Sequence, residues 1–174
     1  NPREHRHHII HAYYPSEDAL RKMKEAEIGA VCQAFFIYGE ADGYGELLPE
    51  EKRRSFTPLK DYLEAGIHVG LSTDMPCADV NPFWNLYSAV TRKGVRGYQL
   101  GTEQSIHREE ALYMMTREGA YLTGEEDIKG SLQAGKLADV VLLDRDLLSC
   151  SEDDIRKAEA LMTILNGKVI YEKA

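Results

Sequence analysis

Apolar and β-branched residues in the first half of the chain are grouped into three short runs. Residues 30–37 form a nearly continuous apolar run, which is typical of a strand buried on both faces in a parallel sheet. Residues 6–12 and 67–74 are further short runs, partly β-branched, and they predict two more strands. Since a helical pattern follows each run, the first half of the chain predicts three consecutive βα units joined by right-handed crossovers.

The predicted helices are marked by their end signals. Ser16 is placed to cap a helix over residues 17–26, which carries acidic residues in its first turn. Proline at a first helical position opens the other two helices, at Pro58 and at Pro82. The glycine-rich residues 38–55, between the second strand and the second helix, predict a loop.

The pattern changes in the second half of the chain. Residues 108–122 predict one more helix, and residues 139–144 predict a strand. Asn166 and Gly167, flanked by β-forming residues, are the strongest short signal for a hairpin. Because this turn chemistry is antiparallel, we expect the C-terminal strands to form a small sheet of their own, beyond a boundary within residues 124–130.

Composition and charge restrict the class of partner. Hydrophobic residues make up 43% of the 174 residues and charged residues 29%, which is typical of a folded globular chain. The net charge of −8 and the pI near 5.3 oppose binding to nucleic acid or to an anionic membrane, because both require a basic surface. A small-molecule substrate is therefore the expected partner.

Cysteine usage and segment length bear on the cellular compartment. The three cysteines show no CxxC spacing, so we expect neither a disulfide framework nor a thiolate zinc site, and a reducing cytoplasm fits. No apolar run approaches the roughly 20 residues of a membrane span. The sequence begins with Asn1 rather than methionine, which predicts a processed chain or a piece of a longer one. No secretory signal is visible in it.

Two polar residues end predicted strands and are candidates for chemistry. His11 ends the first strand and Asp74 ends the third, and functional side chains gather at the carboxyl ends of strands in parallel α/β folds. Imidazole and carboxylate are common ligands of catalytic zinc, and an Asp beside the metal can take a proton from activated water. Structural alternatives stay open, because a strand-end Asp is often a helix cap. His68, in mid-strand, and His107, before a helix, are interpreted as structural.

Three segments together resemble the amidohydrolase superfamily, in the branch of N-substituted formamide deformylases and related imidazolonepropionase-like and D-aminoacylase-like hydrolases. Residues 6–12 resemble the segment Arg-His-x-Ile-Glu-His-Ala, and residues 70–76 resemble the element Gly-x-x-Ser-Asp-x-Pro. Residues 130–144 are similar to Gly-Ser-Leu-x-x-Gly-Lys-x-Ala-Asp-x-x-x-x-Asp, the most specific of the three. The likeness runs in order from about residue 6 to residue 172.

The resemblance implies an α/β fold made of the last three βα units of a TIM (β/α)8 barrel plus C-terminal strands of a small β-sandwich. It assigns residues 1–124 to a partial barrel domain with catalytic residues, and residues 125–174 to the sandwich strands. By the same resemblance His11 is the sixth-strand metal ligand, and Asp74 is the eighth-strand metal ligand and general base. Ile10 stands where relatives have Glu, a departure that bears on substrate choice.

The implied function is a metal-dependent hydrolase that uses metal-activated water on a C–N bond of an amide, formamide or cyclic amide. The implied cofactor is a divalent metal, with zinc as the expected ion. Two alternatives remain: a catalytically silent barrel relative acting as a binding or scaffold module, and a free-standing ligand-binding α/β domain. Because only two metal-site residues are recognised, we expect this chain alone to be inactive. We also expect its apolar sheet edges to be covered in a homo-oligomer or to remain exposed.

Overall fold

A parallel sheet and an antiparallel sheet, each of three strands, organise the structure, a computed structural model that describes residues 5–174. The first four residues of the predicted first domain lie outside the described ones. The parallel sheet has the order β1-β2-β3. Its strands are β1 (His8–Ile10), β2 (Gly29–Cys32) and β3 (Val69–Leu71). Three consecutive βα units are therefore present as expected, although each strand is shorter than its apolar run.

Helices follow each of these strands and continue after them. They are α1 (Glu17–Glu25), α2 (Phe35–Leu47), α3 (Glu50–Arg54), α4 (Leu59–Glu64), α5 (Phe83–Thr91), α6 (Arg108–Met115), α7 (Arg117–Leu122) and α8 (Glu152–Ile155). Ser16 caps α1 as predicted, accepting a hydrogen bond from the Ala19 amide at 3.2 Å. Within the described part of the chain, none of the helices has the length and apolar character needed to cross a bilayer.

The segment after β2 is a helix, and here the sequence interpretation was wrong. The predicted strand over residues 30–37 ends at Cys32, and the predicted loop over residues 38–55 contains most of α2 and all of α3. A short apolar run cannot by itself distinguish a buried strand from a buried helix. Tertiary packing decides it: Asn85 Oδ1 of α5 accepts a hydrogen bond from the Phe35 amide at 3.0 Å, at the first turn of α2.

Gly45 lies within α2, where the ring of Tyr98 packs against it. A β-carbon at Gly45 would lie 2.4 Å from the ring of Tyr98, so only glycine permits this close approach. Glycine inside a helix costs about 1 kcal/mol relative to alanine. The fully buried Ile37 and Ala41 offset that cost by packing into the core.

The helix predicted over residues 108–122 is two helices. Thr116 separates α6 from α7 with φ −119° and ψ −77°, outside ordinary helical geometry. Its hydroxyl donates to the Leu112 carbonyl at 2.7 Å. A threonine that bonds back to the preceding turn bends a helix, and the turn lets α7 fold onto β3.

The antiparallel sheet is separate from the parallel one, as expected from the hairpin signal. Its strands are β4 (Val140–Leu143), β5 (Ala160–Leu165) and β6 (Lys168–Glu172). Asn166 and Gly167 connect β5 to β6, both with positive φ, as a two-residue hairpin turn requires. The short α8, which the sequence pattern did not predict, places a fully buried Ile155 in the main core beside α5. The division into domains at residue 124 stays a prediction.

Arg92 joins separate parts of the core through its guanidinium. The side chain is fully buried and donates to the carbonyls of Leu100 at 2.9 Å, Thr57 at 3.0 Å and Phe56. These acceptors lie on segments distant in sequence, so one side chain holds the end of α5 against the loop before α4. A buried guanidinium is tolerated when its donors are matched in this way.

Replacing Arg92 by methionine is expected to lower the free energy of unfolding by about 2–4 kcal/mol, because three buried carbonyls lose their donors. Arg21→Met is the matched control. Arg21 pairs with Asp18 and Glu25 on an exposed helix face, and pairs of this kind are weak. Urea denaturation of both variants checks this, and equal small effects would contradict the structural role of Arg92.

Candidate functional site

The carboxyl ends of the three parallel strands bring three polar side chains to one edge of the sheet. His11 follows β1, Gln33 follows β2, and Asp74 lies three residues after β3. The ladder continues to this edge, because the His11 amide donates to the Val31 carbonyl at 3.1 Å. His11 Nε2 and Asp74 Oδ2 are 3.8 Å apart. The expected convergence of these two side chains is therefore observed.

Both candidate residues have a left-handed backbone. His11 has φ 58° and Asp74 has φ 60°. This conformation costs a non-glycine residue about 1–2 kcal/mol, and it persists only where surrounding contacts enforce it. The Tyr13 amide donates to the His11 carbonyl at 2.9 Å, and the Cys77 amide donates to the Asp74 carbonyl at 2.7 Å. These local turns reverse the chain at the strand ends and hold the two side chains over the sheet edge.

The pair is accessible and its spacing is close to that needed for a shared cation. The side chains of His11 and Asp74 are 44% and 29% exposed. A separation of 3.8 Å is too long for a direct hydrogen bond. Zinc lies about 2.0–2.2 Å from nitrogen and oxygen ligands, so two ligand atoms of one tetrahedral ion are roughly 3.4 Å apart. The observed separation is a little wider than this, so a small shift of the two side chains would bring both donor atoms onto one ion.

The chain supplies two candidate donors rather than a full set. Across residues 5–174, no cluster of three or more His, Cys, Asp or Glu side chains is suited to a metal ion. Cys32, at the end of β2, does not add a thiolate, because burial raises its pKa to about 12. A catalytic zinc site has three protein ligands in the usual case. Further ligands would have to come from outside the described residues.

Tyr13 and Gln33 form a polar connection behind His11. Tyr13 Oη lies 3.3 Å from His11 Nδ1 and donates to Gln33 Oε1, also at 3.3 Å. Gln33 is fully buried, and among residues 5–174 its Nε2 has no hydrogen-bond partner. Burial raises the pKa of Tyr13 above its ordinary value, and repulsion from Cys32, Glu40 and Asp74 in their ionised forms adds to this effect. The phenol therefore keeps its proton.

Aromatic rings hold this arrangement in place. The Tyr13 ring stacks on Phe56 with centroids 5.5 Å apart and planes at 8°. The His11 ring stacks more loosely on Phe36, at 6.4 Å and 16°. Because Phe56 is itself buried, the phenol of Tyr13 is anchored on the core side while His11 faces solvent.

Sequence interpretation missed the role of Gln33 in this arrangement. A polar amide that interrupts an apolar run at a strand end is the signal that marks Gln33. Its connection to His11 could not be read from the sequence, because the two residues lie on different strands.

The other histidines considered from the sequence are placed elsewhere. His68 precedes β3, at the amino end of the sheet, where its Nδ1 lies 2.8 Å from Glu118 Oε2 and its ring stacks on Tyr121. His107 caps α6 in a capping box with Glu110. Both have structural contacts, in line with the sequence interpretation.

Comparison with known proteins gives consistent matches. The model of the Amidohydrolase family matches residues 1–171. An N-substituted formamide deformylase of Arthrobacter pascens is 29% identical over 95% of this chain and 31% of its own length. A 5-methylthioadenosine/S-adenosylhomocysteine deaminase of Caldanaerobacter subterraneus subsp. tengcongensis is 35% identical over 68% of this chain and 29% of its own length.

Solved structures agree with these matches. The crystal structure of an uncharacterized metal-dependent hydrolase from Pyrococcus horikoshii OT3 is similar, with a TM-score of 0.73 and 27% identity. That similarity covers 84% of this chain and 30% of the hydrolase. The chain spans about a third of the length of the relatives it matches.

Backbone strain at Asp74 can be tested without reference to activity. Asp74→Gly is expected to be more stable than Asp74→Ala by about 1 kcal/mol, because both remove the carboxylate and only glycine adopts positive φ without strain. The same pair of substitutions at Lys22, in the middle of α1, should give the opposite order. Thermal denaturation measures both pairs, and an Ala variant at position 74 as stable as the Gly variant would contradict the strain.

Proposed function

The chain belongs to the amidohydrolase family, and from that premise we propose that it carries part of the active site of a metal-dependent hydrolase acting on a C–N bond. The bond class is an amide, a formamide or a cyclic amide. The observation that carries the proposal is the convergence of His11 Nε2 and Asp74 Oδ2, 3.8 Å apart at the carboxyl edge of the parallel sheet. Functional residues of parallel α/β folds are found at this edge.

The roles of the two residues follow from their donor atoms. His11 would hold a divalent cation, for which we propose zinc, through Nε2, and Asp74 would hold it through a carboxylate oxygen. A bound cation of this kind polarises the substrate carbonyl and lowers the pKa of water to about 7. Asp74 would accept the proton of the attacking water and return it to the leaving nitrogen. Partial exposure gives the carboxylate access to substrate and water.

The proposed setting is the last three βα units of a TIM (β/α)8 barrel, in residues 1–124, followed by strands of a small β-sandwich in residues 125–174. Within the described residues β1 and β3 each have one unpaired edge. Ile9 and Ile10 on β1 are 46% and 55% exposed. Unpaired parallel strands with apolar side chains are normally covered by further strands or by a partner. A homo-oligomer and a cytoplasmic location remain part of the proposal.

Hydrolysis tests the proposal directly. Amide, formamide and cyclic amide substrates are assayed with the 174-residue chain and with the longest polypeptide that its gene encodes. The longer polypeptide is expected to show turnover that depends on a divalent metal, whereas the 174-residue chain is expected to show none. Asp74→Asn should reduce turnover roughly 100-fold or more, because the amide cannot accept the proton.

His107→Asn is the matched control for His11→Asn. Asparagine retains helix-capping ability at position 107, so turnover should be unchanged there and lost at position 11. If the 174-residue chain hydrolyses these substrates as fast as the longer polypeptide does, the proposal that its site is incomplete is contradicted. A longer polypeptide that binds no metal and hydrolyses none of the substrates would favour the catalytically silent relative.

A further inference from the structure

We propose that Tyr13, held by Gln33, is a positioning residue that keeps the His11 imidazole in its Nδ1–H tautomer, so that Nε2 presents its lone pair beside Asp74. The tautomer itself rests only on the contacts among these side chains. Its consequence for cation binding rests on the proposed function.

The tautomer of His11 follows from the direction of the two hydrogen bonds that the Tyr13 hydroxyl makes. A phenol carries a single proton, and the Tyr13 hydroxyl donates it to Gln33 Oε1 at 3.3 Å. The oxygen of that hydroxyl can then only accept from its second neighbour, His11 Nδ1, at 3.3 Å. With the hydroxyl proton on the Gln33 side, the contact at Nδ1 is a hydrogen bond only if Nδ1 carries the imidazole proton. In a neutral imidazole one nitrogen is protonated, so Nε2 is the acceptor.

Burial protects this hydrogen bond from water. Gln33 is fully buried, so water does not compete with Tyr13 for its amide oxygen. The Tyr13 ring is stacked on the buried Phe56, whose carbonyl in turn accepts from Arg92. The phenol thus has little freedom to rotate its oxygen away from either partner. The core fixes Tyr13, and Tyr13 fixes an exposed histidine.

The opposite tautomer would be unsuited to the site. If Nε2 carried the proton, the nitrogen that lies 3.8 Å from Asp74 Oδ2 would have no lone pair for a cation. Partners that orient the second nitrogen of a metal-binding histidine commonly change metal affinity about 10–100-fold when they are removed. An effect of this size is expected here from loss of the Tyr13 hydroxyl.

Nitrogen NMR of the histidine side chains tests the inference. The metal-free 174-residue chain is labelled with 15N in histidine and studied at about pH 8, above the ordinary imidazole pKa of about 6.5. His11→Asn assigns the signal. In the parent chain, long-range proton–nitrogen correlations should show a protonated Nδ1 and an unprotonated Nε2 at His11. Tyr13→Phe should give a mixture of both tautomers.

The Gln33→Met variant distinguishes most sharply between a positioning role and a merely structural role of Tyr13. Without its acceptor on Gln33, the Tyr13 proton becomes available to His11 Nδ1, so the preference should reverse toward Nε2–H. Tyr14→Phe is the matched control. It removes the neighbouring hydroxyl but keeps the ring that packs against Phe56 and Lys52, and it should leave the His11 spectrum unchanged.

The outcomes separate the inference from the proposed function. An Nε2–H tautomer in the parent chain, or an unaltered tautomer in Tyr13→Phe, would overturn the inference even if Gln33→Met fails to fold. The longest polypeptide that the gene encodes is titrated with Zn²⁺ alone and followed at His11, and it should bind the ion about 10–100-fold more weakly as Tyr13→Phe than in its parent form. If Zn²⁺ leaves His11 of this longer polypeptide unchanged while the Nδ1–H tautomer is present, the positioning is supported and the proposed metal role is refuted.

Discussion

The placement of β2 between two parallel neighbours is the constraint on which the rest of the structure depends. Gly29 begins this strand, and a β-carbon there would lie 2.5 Å from the Leu122 side chain, so glycine lets α7 close over the amino end of the sheet. Cys32 ends it, fully buried. Because the strands are parallel, the chain leaves all three at the same edge. The candidate site therefore forms from residues distant in sequence.

At the carboxyl ends of the parallel strands, two exposed side chains that could bind a metal lie above buried residues that hold them in place. His11 and Asp74 face water and keep a strained backbone, whereas Gln33 and Phe56 lie in the core. Exposed histidine side chains ordinarily sample several orientations. Here Tyr13 is held by buried residues and contacts His11. This contact gives the exposed imidazole a defined tautomer and a defined orientation.

Two features make the 174-residue chain incomplete as a catalytic unit in our interpretation. Only two candidate metal donors converge within the described residues. The apolar side chains of Ile9 and Ile10, on an edge strand, remain exposed. Both features agree with a chain that spans about a third of the length of its relatives. In the part of the chain that the structure describes, the antiparallel sheet has its own hairpin and shares no strand with the parallel sheet.

Much of the fold was determined by local sequence signals. The cap at Ser16 and the hairpin at Asn166 and Gly167 depend on side-chain and backbone chemistry within a few residues. His11 and Asp74 could be selected because each follows a predicted strand and such ends meet in a parallel sheet. Their assigned roles came from family resemblance, and the family is confirmed.

Tertiary structure alone decided what depends on partners distant in sequence. The apolar residues after Cys32 became a helix because α5 caps and packs against it, a choice that hydrophobic periodicity leaves open. The break at Thr116 is local, but the packing of α7 onto β3 that follows it is tertiary. The connection of Gln33 through Tyr13 to His11 joins adjacent strands across the sheet edge. Sequence specifies which side chains end the strands, whereas only the packed sheet specifies which of them touch.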